Sequence, residues 1–95
     1  MSLSVNEVTQ IVRVTSALVS ELGLVNTGVR CDGRNIGFGY SNEHADIAPV
    51  LFSLDKEALM YDDNVLSRKQ VHTLIGIATE LELNYGEHAQ FLKAV

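Results

Sequence analysis

Two capping boxes constrain this chain more than any other feature. Ser4 with Glu7, and Ser67 with Gln70, have the spacing at which a hydroxyl accepts from the N3 backbone N–H while the N3 side chain reaches back to the N-cap. Each predicts a helix start, and the residues that follow are helical in period. After Ser4, Val5, Val8, Ile11, Val12, Thr15, Leu18, Val19 and Leu22 recur at spacings of three and four, and Gly23 stands where a left-handed cap is expected. After Ser67, Val71, Leu74, Ile75, Ala78 and Leu81 form a stripe running to about Leu83. Val14 and Ala17 widen the first apolar arc to about half the circumference, beyond the ~100° that one core contact needs. The first helix is therefore expected to touch a second surface.

Between the helices the period shortens to two. Asp32-Gly33 suits a two-residue type I′ turn. Counting outward pairs Cys31 with Arg34, Val29 with Ile36, Thr27 with Phe38 and Val25 with Tyr40, all on the core face. The other face collects Arg30, Asn35, Asn26, Gly28, Gly37 and Gly39 and is almost bare of side chains. Glycine weakens a strand, so close approach of another backbone is expected there.

Residues 41 to 49 read as a polar, acidic connection, after which Val50 to Leu54 and Ala58 to Tyr61 flank Asp55-Lys56-Glu57 as a second hairpin. Val50, Phe52, Leu54, Ala58 and Met60 then share one face, and Leu51, Leu59 and Tyr61 the other. A helix from about Glu43 to Ser53 is the competing reading, which Pro49 opposes. Asn84 with Glu87 predicts a last short helix carrying His88, Phe91, Leu92 and Val95 on one side. Gly76 inside the long helix suggests a tight crossing. The expected fold is a single α+β domain over residues 1–95: an N-terminal helix, a four-stranded antiparallel sheet from two hairpins, and a C-terminal long helix plus short helix.

Composition narrows the function. With 46% apolar and 20% charged residues the chain has globular usage. No apolar run approaches the ~18 residues of a membrane span, and no basic region followed by a hydrophobic run marks a signal peptide. The expected compartment is the cytoplasm, with no membrane partner. Cys31 as the one cysteine excludes an internal disulfide and a zinc site of paired cysteines.

The net charge of −5 is uneven. In residues 1 to 42, Arg13, Arg30 and Arg34 balance Glu7, Glu21 and Asp32; in residues 64 to 95, Arg68, Lys69 and Lys93 balance Glu80, Glu82 and Glu87. The excess lies between, where Glu43, Asp46, Asp55, Glu57, Asp62 and Asp63 face only Lys56. That field repels a phosphate backbone and argues against a nucleic-acid partner.

Few residues point to chemistry. Glu43, His44 and Asp46 alternate carboxylate and imidazole and could ligate a divalent metal, with Asp62 and Asp63 as further ligands, although an acidic solvated loop reads the same way. Cys31 has no histidine beside it in sequence, and no serine, histidine and acid stand in a catalytic spacing. No cofactor is expected. The leading expectation is a non-enzymatic protein–protein interaction module, of adaptor, chaperone-like or regulatory kind. It would homodimerise and bind another protein through a surface including Arg30, Asn35, Gly37, Gly39, Asp62 and Asp63. The alternative is a small-ligand or divalent-metal-binding domain, with or without catalysis, using the acidic loop or the glycine-lined face.

Overall fold

The computed structural model describes residues 3–24, 28–40 and 48–87, without the side chains of Asp32 and Tyr40. The element order is α1 (Val5–Leu22), β1 (Gly28–Asp32), β2 (Asn35–Tyr40), β3 (Val50–Ser53), β4 (Ala58–Tyr61), α2 (Arg68–Glu80) and β5 (Asn84–Glu87). The class is α+β, with the five strands in one sheet in the order β1-β2-β3-β4-β5.

Both helices start as their capping boxes predict. Glu7 N–H donates to Ser4 Oγ at 3.1 Å and Ser4 N–H donates to Glu7 Oε1 at 3.0 Å. The Ser67–Gln70 pair repeats this at 3.1 and 2.9 Å. At its other end α1 stops on Gly23, whose φ of +72° is the left-handed cap that glycine adopts without a Cβ penalty.

The sheet departs from expectation in three places. First, it has five strands and is mixed. Asn84–Glu87 forms β5, parallel to β4, where a short helix was expected to begin; residues 88–95 lie outside the described residues. Leaving β4 and returning beside it through α2 is the crossover that a parallel pair requires.

Second, the first hairpin pairs Asp32 with Asn35, Cys31 with Ile36 and Val29 with Phe38. Its loop residues are Gly33 and Arg34, and only Gly33 has a positive φ, at +62°. That is the type II′ pattern, which needs glycine only at the first central position, whereas type I′ needs left-handed backbone at both. Ile36 and Phe38 each shift their partner by two residues, an even number, so Val29, Cys31, Ile36 and Phe38 keep their common face; Tyr40 pairs with Gly28, three residues from its expected partner, and Val25, Asn26 and Thr27 lie outside the described residues.

Third, Val50 pairs with Tyr61, Leu51 with Met60, Phe52 with Leu59 and Ser53 with Ala58. The loop is Leu54 to Glu57, one residue longer than expected. Lys56 N–H donates to Ser53 Oγ, and Glu57 closes the turn at φ +48°. An odd slip exchanges faces. Val50 and Phe52 therefore lie with Leu59 and Tyr61, while Ala58 and Met60 lie with Leu51. The strand β3 also settles residues 50 to 53 against the helical alternative.

The core forms where the helices meet one face of the sheet. Val14, Leu18 and Leu22 of α1 and Leu74, Ile77 and Ala78 of α2 are buried with Ile36, Phe38, Val50, Phe52 and Leu59. Leu51, Ser53 and Ala58 are buried on the opposite face, with Gly37 beside Leu51. The second hairpin is thus apolar on both faces, as its sequence indicates. Gly76 is exposed and a Cβ built on it meets nothing within 4 Å, so it marks no tight crossing. Among the described residues no helix is long and apolar enough to cross a membrane.

One polar joint holds α1 against the ends of both hairpins. Glu7 uses Oε1 for its cap and accepts from Arg34 Nη2 through Oε2, and Arg34 Nε–H donates to Asp55 Oδ1 at 2.5 Å. Arg34 and Glu7 are each about two-thirds or more covered. Leu54 N–H, in the second loop, donates to the Arg34 carbonyl at 2.9 Å. This joint pins the start of α1 and hence the direction in which its remaining sides look.

Candidate functional site

The residues singled out by sequence do not converge on one point. Glu43, His44 and Asp46 lie outside the described residues. Arg30, Asn35 and Gly37 share the sheet face away from the helices, with Arg30 exposed, Asn35 half-buried and Gly37 buried. Asp62 and Asp63 follow β4, beyond the end of that face. Cys31, expected to behave as a core hydrophobe, is exposed.

Gly39 has a specific steric role. Val29 pairs with Phe38 and Gly28 with Tyr40, so Gly39 is the extra residue of a bulge, at φ +91°. A Cβ there would stand 2.9 Å from Pro49 Cγ. The neighbour is the Pro49 ring in the chain leading into β3, a side chain and not the second backbone expected on the glycine-lined face.

The acidic residues make a turn and a small cluster. Asp62 Oδ1 accepts from Asn64 N–H at 2.9 Å, while the Asp62 carbonyl accepts from the Val65 and Leu66 N–H groups. Asp62 is therefore committed to the turn entering α2. Asp63 lies beside Glu87 of β5 and raises its pKa above the ordinary carboxylate value, first through a side-chain hydrogen bond and then through like charge, with Asp62 adding to the repulsion. Among the described residues no three His, Cys, Asp or Glu side chains are arranged to hold a metal ion.

Two open grooves are lined by described residues. One, of about 270 Å³, is lined by Tyr61, Asp63, Leu66, Arg68 and Val71. The other, of about 430 Å³, is lined by Asn6, Thr9, Gln10 and Arg13 of α1 with Glu57, Leu81 and Glu82. Each is shallow and open to solvent, unlike the largely enclosed apolar pockets that hold small molecules.

The larger groove orients α1. Successive helix residues turn by about 100°, so four sides can be assigned. Val14, Leu18 and Leu22 face the core, and Asn6, Thr9, Gln10 and Arg13 face the end of α2. Ser16 and Ser20 lie on the exposed top. Val8, Val12 and Val19, continued by Val5, form the fourth side, which looks away from α2. These valines are exposed, Val12 by 57% and Val5 by 82%. Sequence gives this arc its width; only the packing shows which half the core takes.

The sheet is uncovered on the same side. A helix is about 10 Å wide and strands lie about 4.8 Å apart, so two helices cover roughly four strands. α2 packs on β4 and β5, and the α1 residues share their cluster with β2 and β3. β1 is left over. Val29 lies on the helix side beside Phe38 yet is 48% exposed, and Cys31 beside Ile36 is exposed too. The valine side of α1 and the floor of β1 thus bound one apolar corner. Comparison with family models, with curated proteins and with solved structures finds no match for the chain.

Proposed function

We propose that the chain is a non-enzymatic protein–protein interaction module that works as a homodimer. The observation that carries this reading is the exposed side of α1, where Val5, Val8, Val12 and Val19 stand in one row on a well-capped helix. A contiguous apolar row is costly to leave in water and marks an association surface, whereas single exposed apolar residues need no explanation. Completing the burial of these four exposed valines is worth roughly 1 kcal/mol each at the usual transfer coefficient, before association entropy is subtracted.

Light scattering coupled to size exclusion at tens of micromolar tests the reading. The expected mass is twice the 10.4 kDa of one chain. A single monomeric peak across that range, with no shift on mixing with lysate proteins, overturns it.

A further inference from the structure

Resting on that reading, we infer that two copies interlock face to face, the α1 of each filling the corner between the valine side of α1 and the floor of β1 in the other. The exposed half of α1 carries no charge. The charged residues of the helix are Glu7, Arg13 and Glu21. Glu7 is held in the joint with Arg34, Arg13 faces the groove beside the end of α2, and Glu21 stands two turns from the buried Val14, on the same side of the helix. What remains is Val5, Val8, Val12 and Val19 on one side and Ser16 and Ser20 on the top, all exposed. A helix side that meets only water ordinarily carries charged and polar residues. Valines beside small serines suit a close neutral neighbour instead.

The spacings close on a second copy. Packed helices lie about 8–10 Å apart and strands about 4.8 Å apart. Because α1 shares its cluster with β2 and β3, a helix set against its valine side stands over β1, where Val29 and Cys31 are exposed. A two-fold axis running midway between the two helices and parallel to them turns the partner over. The partner's β1 then lies on the serine top of this α1, and this β1 lies under the partner's α1. The corner lacks a helix with a neutral side and a small-residue top, and α1 lacks a floor over its serines. One two-fold operation supplies both, which is the self-complementarity of an isologous interface.

The valine row fits this axis. Val5, Val12 and Val19 stand seven residues apart with Val8 between them, the repeat that keeps a seam facing a partner helix, and β-branched residues at that position favour two parallel helices. An axis parallel to α1 makes the helices parallel and in register, so each valine meets its own counterpart. No like charges are brought together, since neither contacting side of α1 holds a charged residue. Burying two sides of an 18-residue helix together with the β1 floor removes roughly 1,200 Å² over both copies at ordinary helix and strand dimensions, the lower end for a specific interface. Association in the micromolar range is expected.

Crosslinking reads the arrangement. On a Cys31→Ser background, Val5→Cys and Val19→Cys should each be joined to its own counterpart by a short bismaleimide, giving a covalent dimer in high yield at tens of micromolar protein. Antiparallel helices would instead join only a mixture of the two. Ser16→Glu places a good helix former at an exposed position, so the circular dichroism spectrum should be unchanged. It should nonetheless raise the dissociation constant about tenfold or more, because the partner's β1 takes water from the new charge. A dimer in which either cysteine fails to join its own counterpart, or that tolerates Ser16→Glu, overturns the interlock while leaving dimerisation standing. A monomeric wild type overturns the dimer itself.

Discussion

Gly39→Ala should be strongly destabilising for a single-methyl change. Two costs add. The backbone sits at φ +91°, where an L side chain is strained by about 1–2 kcal/mol. The new Cβ would also lie 2.9 Å from Pro49 Cγ and 3.3 Å from Pro49 Cδ, with Leu24 Cδ2 at 3.6 Å. A pyrrolidine ring cannot rotate away, and Pro49 is itself buried, so overpacking adds about 1–3 kcal/mol. Lower chain entropy in the unfolded state returns about 0.5–1 kcal/mol. The net loss is about 2–4 kcal/mol, which lowers the melting temperature by roughly 10–25 °C for a domain of this size.

Urea unfolding followed by far-ultraviolet circular dichroism measures this directly. A cycle with Pro49→Ala separates the two costs. On that background the steric share should vanish and Gly39→Ala should cost only the conformational share, about 1 kcal/mol, giving a coupling of about 1–2 kcal/mol. A single-mutant loss below about 0.5 kcal/mol, or strictly additive changes, would refute the reasoning.

Two further changes test the ends of α2 and β5. Leu83 N–H donates to the Ala78 carbonyl at 2.7 Å and Glu82 N–H to the Thr79 carbonyl at 3.2 Å, a Schellman ending with Glu82 left-handed at φ +59°. Glu82→Gly should therefore stabilise by about 0.5–1 kcal/mol, and an unchanged or lower urea midpoint would count against that ending. Glu87 binds its proton more tightly in the fold than in the unfolded chain, because Asp63 accepts from its protonated form and repels its charged one. The folded state thus holds more protons just above the ordinary carboxylate pKa, and stability falls as pH rises through that window. Glu87→Gln should raise the melting temperature at pH 7 in low salt and lose most of that gain by pH 4; an equal gain at both values would rule out the charge argument.

How much of this was readable in advance depends on the range of each interaction. The caps at Ser4, Gly23 and Ser67 are local, involving residues within three or four positions, and they stand where the sequence places them. The common face of Val29, Cys31, Ile36 and Phe38 in the first hairpin was readable because alternation survives a shift of two. Its register was not, since Asp-Gly permits more than one turn and the structure uses Gly33 as the first central residue. The second hairpin shows the sharper failure: one residue of loop length, set by the Ser53 hydroxyl and a left-handed Glu57, exchanges the faces of β4. β5 was hidden twice. The stop that frees it places a glutamate where glycine is the usual signal, and its four residues, Asn-Tyr-Gly-Glu, carry no apolar alternation.

The interaction surface lay between these extremes. The breadth of the α1 arc is a local property and already implied a second contact. Which valines the core leaves exposed is not local. It follows from the Glu7–Arg34–Asp55 joint, whose members are separated by 27 and 21 positions, and from the seating of α2 on β4 and β5. Together these rotate the start of α1 so that Val14, Leu18 and Leu22 take the sheet while Val5, Val8, Val12 and Val19 look across β1. A chain that needed only its own core could have placed Ser16, Ser20 and Thr9 on that side and the valines nowhere. Exposed valines on this side of α1, with Val29 and Cys31 of β1 exposed as well, are the observation on which the proposed homodimer rests.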